Sequence, residues 1–494
     1  MMENITEVLS KISLPAIIYV INFAFIFAVI FFERKTSTAT LAWIMVLAFI
    51  PVVGFIFYLV FNQNLARTHI NHLYDEEWEA VQKTMKDQLN ADDETDPDLM
   101  EIINPAALGR RDLVKLNQIY GESFYTDGNE AELITDGKEL FYSILADIKE
   151  AKKSIAVEYF IIKNDEIGKE LIKALTKKAK EGVKVRLLID TQGSRSIGNR
   201  ALRDYLKAGG QVGYFFPPRL FKIGIRIGLN LNYRNHRKIV VIDEEIGYTG
   251  GYNVANEYCD MVPRFGHWRD SHIRIRGEAV KELLGRFILD WRFTTKESMM
   301  IPTSVDFTNK MGNKGIQIVS CGPEAPHQEV KRAYMKMITT SKKSVFIQSP
   351  YFVPDQSIIE SLKMAAQSGV DVRIMIPCKP DHIFVYWATY SYVGELIRAG
   401  CRVYIYDGGF LHAKTIVSDT EVSSVGSCNF DIRSFKLNFE TNAFIYDRDF
   451  ALEMEKAFYE DMKAGHELTL DDYNNRSIII KFKENISRLM TEIL

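Results

Sequence analysis

The sequence predicts an α/β fold: two copies of one α/β/α sandwich unit related by a pseudo-two-fold axis, preceded by an N-terminal transmembrane helical hairpin. Three observations carry this. "NHRKIVVIDEEIGYTGGYN" (residues 235–253) and "LHAKTIVSDTEVSSVGSCN" (411–429) align without a gap, so one chain carries one pattern twice. Around each copy, continuous Val/Ile/Leu runs alternate with amphipathic segments, which is the signature of strands covered by helices on both faces. Ahead of both lie two uncharged apolar stretches.

Taken in chain order, residues 12–32 read "ISLPAIIYVINFAFIFAVIFF" and carry no charge between Lys11 and Glu33, about the 20 residues that cross a bilayer core. After Glu33, Arg34 and Lys35, a second apolar body runs over 39–61, "ATLAWIMVLAFIPVVGFIFYLVF". A cleaved leader explains one such run but not two in succession. Residues 1–61 are therefore expected to form two transmembrane helices of a multi-pass membrane protein. Arg34 and Lys35 are nearly balanced by Lys11 and Arg67, so charge asymmetry does not choose a side. Residues 62–110, with "DEEWEAVQKTMKDQLNADDETDPDL" at their centre, read as a polar acidic linker.

The first repeat is expected over 111–300 and the second over 311–494. "AKKSIAVEYFII" (151–162) matches "SKKSVFIQSPYFV" (341–353), "GVKVRLLID" (182–190) matches "GVDVRIMIP" (369–377), and "AGGQVGYF" (208–215) matches "AGCRVYIY" (399–406). Between the first two lies the amphipathic "GKELIKALTKKAKEG" (168–182). A net charge of -3 over 494 residues gives no basic footprint for nucleic acid. The five cysteines are scattered without a CxxC pair, which argues against both a disulfide framework and a zinc site.

The chemistry sits in the doubled motif. Its first copy supplies His236, Lys238, Asp243, Gly250, Gly251 and Asn253; its second supplies His412, Lys414, Asp419, Gly426, Ser427 and Asn429. "KIVVID" and "KTIVSD" read as strands, so each histidine shares a face with the lysine two residues on. Two such half-sites brought together would surround a phosphodiester with two imidazoles and two ammonium groups. The lysines supply fixed positive charge, while Asn253, Asn429 and Ser427 are candidate donors to phosphate oxygens, so neither a metal nor another cofactor is called for. One imidazole can attack phosphorus while the other protonates the departing oxygen. Gly251 stands where the second half has Ser427, so the halves are similar but not equivalent.

This HxKxxxxD pattern followed by a small pair and an asparagine, in both halves, resembles the phospholipase D superfamily, and the two apolar stretches resemble the N-terminal region of its bacterial cardiolipin synthases. The resemblance implies a phosphatidyltransferase that joins two phosphatidylglycerol molecules, releases glycerol and works through a phosphatidyl-histidine. It implies His236 as nucleophile and His412 as the acid that protonates glycerol and then activates the acceptor. It also implies an acidic residue orienting each histidine, for which Asp270 in "GHWRDSHIRIRG" and Glu440 in "FKLNFETNAFI" are the matching positions. Asp243 and Asp419 complete the catalytic motif as written, although by resemblance they look like structural anchors. The implied partners are phosphatidylglycerol and anionic membrane lipids, with the protein embedded in the membrane and no nucleic acid. A hydrolytic phospholipase D would use the same residues with water as acceptor, a tethered nuclease would need a basic groove, and a lipid-binding scaffold would show an eroded motif. One asymmetry remains: residues 217–234, "PPRLFKIGIRIGLNLNYR", have no counterpart in the second half and mix basic with apolar side chains, suiting either a membrane-surface insertion or a hairpin over the core.

Overall fold

The computed structural model describes residues 14–31, 37–50, 52–54, 58, 76–77, 79–81, 83–84, 104–216, 232–304, 310–325 and 327–491. Most of the linker expected over 62–110, the end of the second apolar stretch and nearly all of the 217–234 asymmetry lie outside them.

The first half contributes β1 (Thr126–Ile134), β2 (Ser154–Tyr159), β3 (Lys184–Asp190), β4 (Gln211–Phe215), β5 (Arg234–Asn235), β6 (Lys238–Ile242), β7 (Ile246–Gly250), β8 (His267–Arg269) and β9 (His272–Arg276). The second contributes β10 (Lys314–Cys321), β11 (Ser344–Gln348), β12 (Asp371–Pro377), β13 (Arg402–Tyr406), β14 (Gly409–Leu411), β15 (Thr415–Ser418), β16 (Val422–Gly426), β17 (Asn438–Tyr446) and β18 (Gly465–Glu467). One mixed sheet runs β18-β13-β12-β11-β15-β16-β17-β10-β1-β9-β7-β6-β2-β3-β4. Reading inward from β4 and from β13, the two halves have the same order: β4-β3-β2-β6-β7-β9-β1 and β13-β12-β11-β15-β16-β17-β10. They meet where β1 pairs antiparallel with β10.

Alternation along the strands explains why these runs are apolar throughout. Ile155, Val157 and Tyr159 of β2 face the core under the helices Gly137–Glu150 and Glu166–Lys180, whereas Ala156 faces the core under Ala279–Thr295. In β11, Val345 and Ile347 lie under Glu329–Thr340 and Gln356–Gln367, while Phe346 stacks on Phe458 of Arg448–Lys463. Aspartates start equivalent helices after β2 and β11: Asp165 caps through the Gly168 N–H and Asp355 through the Ile358 N–H. The helix Arg111–Gly121, assigned by sequence to the first repeat, packs on Glu329–Thr340 and β10, because Leu113 and Val114 belong to the second half's core.

Two further pairings cross between the halves. The two-residue strand β5 pairs in parallel with β17, matching Arg234 to Asn438 and Asn235 to Phe439. In the same way β14 pairs in parallel with β8, ending with Leu411 opposite Arg269.

The two N-terminal apolar stretches are helical over Leu14–Phe31 and Ser37–Phe49 and pack together, with Val29, Trp43, Leu47 and Tyr58 buried between them. Among the described residues no helix is long and apolar enough to cross a membrane, so the expectation of two complete spans is not met there. Ser37–Phe49, at 13 residues, is short of the roughly 20 that a span needs.

Candidate active site

The crossed pairings decide what surrounds each histidine. His236 follows β5 directly, and its N–H donates to the Phe439 carbonyl at 2.9 Å, so the next residue of β17, Glu440, stands beside the imidazole. His236 Nδ1 lies 2.9 and 3.0 Å from the two Glu440 oxygens. His412 follows β14, donates its N–H to the Arg269 carbonyl at 2.7 Å, and its Nδ1 lies 2.5 Å from Asp270 Oδ2. The two acidic residues expected from sequence are both at histidines, but crossed: each half orients the other half's imidazole. A proton on Nδ1 facing a carboxylate leaves the Nε2 lone pair outward. Among the described residues nothing hydrogen-bonds either Nε2.

The lysines lie beneath. Lys238 Nζ donates to the His236 carbonyl at 2.6 Å and Lys414 Nζ to the His412 carbonyl, both side chains fully buried. Burial pushes Lys238 down to about 7 and Lys414 to about 8, although Glu440 opposes it at the first and Asp270 at the second. Burial also lowers both imidazoles to about 4, against the pull of Glu440 on His236, and with Lys414 adding to the effect on His412. Both imidazoles are thus neutral at pH 7. Each histidine also feels the lysine of the other half, so the two motifs form one electrostatic site. Burial would raise the two carboxyls, but His236 and Lys238 hold Glu440 below its ordinary value, as Lys414 and His412 hold Asp270.

Three assignments change. Asp243 and Asp419, grouped with the catalytic residues by the motif, do not join the histidines. They sit at hairpin turns with φ of 54° and 55°, and the residues after them, Glu244 and Thr420, have φ of 65° and 57°. Asp243 accepts the N–H groups of Lys152, Lys153 and Ser154 at 2.7, 2.6 and 2.9 Å; Asp419 accepts those of Lys342, Lys343 and Ser344 at 2.8, 2.7 and 2.9 Å, and also pairs with Arg110. A short acceptor side chain tolerates the left-handed backbone and holds the start of β2 or β11 against the turn. Ser427, expected on phosphate, donates to Glu440 Oε2 at 2.5 Å instead. Its counterpart Gly251 leaves room for Asp270, because a Cβ there would lie 2.0 Å from Asp270 Oδ1.

Asn253 and Asn429 are buried behind the motifs. Asn253 donates to Tyr258 at 3.0 Å and Asn429 to Ser434 at 3.1 Å, which leaves each amide one N–H for a ligand.

Sequence reasoning missed a second layer. Arg237 donates to the Glu440 carbonyl at 3.2 Å, to Asp290 at 2.6 Å and to the Cys321 carbonyl at 3.1 Å. Arg269 donates to the Asp270 carbonyl and to Asp461 at 2.9 Å. One buried Arg–Asp pair therefore grips the backbone of each orienting carboxylate. Glu158 accepts the Asn235 side-chain N–H beside Asp290, whose charge acts on it, and Gln348, its match in the repeat alignment, donates to Asp461 at 2.7 Å. The polar residue at the same point of two apolar strands was the available signal.

Among the described residues one group has metal-ligand geometry, Asp136, Asp260 and His267, which sequence spacing did not show. Its members are already used: Asp136 caps the Gly137–Glu150 helix, and Asp260 accepts the Trp268 N–H at 2.7 Å and faces His267 Nδ1 at 2.9 Å.

A family model described as cardiolipin synthase, PLD-like domain matches residues 144–264 and 334–462, so each match contains one histidine motif, and a phospholipase D-nuclease N-terminal model matches 20–62. The chain is 45% identical over 483 residues to the major cardiolipin synthase ClsA of Bacillus subtilis, covering 97% of this chain and 99% of that one. It is 43% identical to a cardiolipin synthase of Oceanobacillus iheyensis, covering 96% and 98% respectively. Among solved structures, phosphatidylserine synthase of Haemophilus influenzae is similar with a TM-score of 0.60 at 15% identity, over 78% of this chain and 100% of that one, a likeness of fold.

Proposed function

The chain belongs to the cardiolipin synthases of the phospholipase D superfamily, and on that premise we propose that it transfers the phosphatidyl group of one phosphatidylglycerol to a second, releasing glycerol, through a phosphatidyl intermediate on His236. The observation that carries this reading is the pair of neutral imidazoles, each held at Nδ1 by a carboxylate from the opposite half, above two buried lysines. His236 Nε2 attacks phosphorus; the P–N bond forms as the P–O bond to glycerol breaks, and glycerol leaves with a proton from His412. The bound phosphodiester's negative charge favours that proton on His412, whose pKa is low without it. In the second step His412 takes the proton of the incoming phosphatidylglycerol hydroxyl, whose oxygen displaces His236. Lys238, Lys414 and the spare N–H groups of Asn253 and Asn429 face the charge on the equatorial oxygens.

The order of the histidines rests on the likeness of the first motif to the family pattern. The equivalent strand orders support two repeats about a pseudo-two-fold axis that passes between the histidines, over 111–300 and 311–494 apart from the helix Arg111–Gly121, which packs on the second half. We place the protein at the bacterial cell membrane with residues 1–61 as its hairpin anchor, which the N-terminal family match supports.

The test is a rapid quench of the purified chain with phosphorus-labelled phosphatidylglycerol. Acid-labile, base-stable label on a peptide containing His236, passed on to phosphatidylglycerol faster than to water, is expected. Label on the His412 peptide reverses the order, faster transfer to water makes the enzyme a phospholipase, and no label under single-turnover conditions rejects the covalent route.

A further inference from the structure

The helix Ile478–Met490 is attached to the protein by its polar side. Glu484 and Ser487 are each 3% exposed, whereas Ile478, Phe482 and Leu489 are 82, 64 and 73% exposed. At about 100° per residue these three fall with Ile486 on one stripe, and Lys481 and Lys483 flank it on either side. The inward side is fixed by polar and ring contacts: Glu484 takes both ends of the Arg476 guanidinium at 2.8 Å, and the Lys483 ammonium lies 5.1 Å from the Trp387 ring centre. A helix that only needed to cover the core would turn the other way, since apolar surface left in water forgoes about 25 cal/mol per Å².

The stripe also has a definite place. Lys483 lies over Trp387 and Arg488 over Tyr392, so the helix runs parallel to Ile383–Arg398, with the two N-terminal ends side by side. At that end Ile383 and Phe384 are 64 and 59% exposed. The loop entering Ile383–Arg398 carries Asp381, whose charge acts on Lys414 and which accepts a hydrogen bond from Tyr351. The exposed apolar surface therefore ends at the rim of the histidine site.

We propose that the outward stripe of Ile478–Met490, continued by Ile383 and Phe384, docks on an anionic lipid bilayer and holds the mouth of the histidine site at the level of the headgroups. A bilayer fits better than a second protein surface. Lysines on both edges of the apolar stripe, Lys481 bonded to the Asn474 carbonyl at 2.7 Å and Lys483 over Trp387, fix positive charge along the margin where anionic headgroups would lie, whereas protein interfaces are depleted in lysine. The inference rests on the lipid-substrate reading for its purpose, since a substrate held in a bilayer must be reached from the bilayer surface, but not for its geometry.

The test places a polarity-sensitive nitrobenzoxadiazole label on Phe482→Cys in the full-length chain, with Tyr142→Cys, 77% exposed in the first half, as control and Cys378→Ser in both. The vesicles contain two parts phosphatidylcholine to one part phosphatidylserine, so docking is measured without the proposed substrate, and carry brominated acyl chains as quencher. The label at 482 is expected to shift to the blue and be quenched on vesicles while that at 142 is not. Phe482→Glu with Leu489→Glu should raise the apparent KM for phosphatidylglycerol in vesicles by about five-fold or more, and leave the rate on detergent-dispersed phosphatidylglycerol within about two-fold. A label at 482 that stays in water overturns the proposal. Shielding in detergent that grows with protein concentration assigns the stripe to a second copy, and shielding independent of both lipid and concentration assigns it to another segment of the chain; either also overturns it. Insertion of the label in a protein that makes no cardiolipin leaves the docking and removes the substrate reading, and turnover with a water-exposed label does the reverse.

Discussion

Adding the hydroxyl that the first motif lacks should destroy the enzyme. Gly251 and Ser427 occupy equivalent positions, so symmetry alone suggests that Gly251→Ser restores a missing donor. The geometry says otherwise. A Cβ at 251 would lie 2.0 Å from Asp270 Oδ1 and 2.6 Å from its Cγ, where ordinary contact begins at 3.4 Å. Asp270 must retreat by the difference, 3.4 - 2.0 = 1.4 Å. The backbone cannot yield instead, because Gly251 N–H is bonded to the Ser271 carbonyl at 2.9 Å and Arg269 grips the Asp270 carbonyl. A 2.5 Å contact to His412 stretched by that amount is no longer a hydrogen bond. Misplacing a catalytic group by about 1 Å costs on the order of 10²-fold, and loss of the tautomer set by a carboxylate costs up to about 10⁴-fold. Turnover of Gly251→Ser should therefore fall by between about 10² and 10⁴, with Gly251→Ala equally impaired because the obstacle is the Cβ. The converse change, Ser427→Gly, removes the hydrogen bond to the charged Glu440, about 1.5–3 kcal/mol, and one accepted from the Thr441 N–H, so its loss should stay near 10- to 100-fold. Steady-state assays on detergent-dispersed phosphatidylglycerol, with thermal melts to verify folding, decide it. A Gly251→Ser enzyme within five-fold of the parent would refute the steric argument.

Activity should fall at a pH unusual for lysine: kcat/KM should decline from about 7 to 8 as Lys238 and Lys414 lose the charge that binds phosphate. The charged lysine is present below its pKa, so lowering that pKa moves the alkaline limb down, and a profile flat to pH 9 would contradict it. Asp243→Asn should lower stability by about 1–3 kcal/mol in denaturant titrations and spare kcat of the folded enzyme, while Asp419→Asn should cost more than Asp243→Asn because the buried Arg110 then keeps only Glu421 as its charge partner. Glu158→Ala should lose about 1–3 kcal/mol of stability by leaving the buried Asn235 amide without its acceptor, whereas Glu158→Gln, which keeps an acceptor oxygen there, should lose less; equal effects of both changes, read from melts and turnover together, would remove that role.

What the sequence revealed is what period and repetition encode. Continuous apolar runs such as "KVRLLID" imply strands covered on both faces, and the gap-free repeat implies that both histidines stand next to equivalent strands, as they do. Pairing over long sequence separations left no such trace. Nothing local to "GHWRDSHIRIRG" says that Asp270 serves His412 rather than His236, because that depends on β14 lying beside β8. The motif's aspartates show the same limit, since position groups them with the catalytic residues while the resemblance reads them as anchors. A carboxylate at a fixed distance from a histidine looks catalytic in one dimension, yet Asp243 and Asp419 are spent on three backbone N–H groups each at turns with positive φ. Arg237 stayed hidden because its counterpart is Ala413; the equivalent grip comes from Arg269, on a different strand.

That substitution of one arginine for another in space explains why fully buried ion pairs are kept beside this site. Arg237 with Asp290 has no exposure at all, and such a pair is poor evidence of stability, since desolvating two charges offsets most of their attraction. Its geometry answers a different need. Each imidazole is oriented from the opposite half, so the chemistry depends on the register of β5 on β17 and of β14 on β8, pairs only two and three residues long. A slip of one residue would carry Glu440 or Asp270 about 3.3 Å along the strand and turn it to the other face. Two or three ladder bonds at a strand end resist such a slip weakly. A guanidinium with planar, fixed donors resists it far better when it bonds the carbonyl of the very residue that must not move, and is itself held by an aspartate on a packed helix. The arginines thus fix the register that completes each half-site from the other half, and the duplicated motif acts as a single centre only while both are in place.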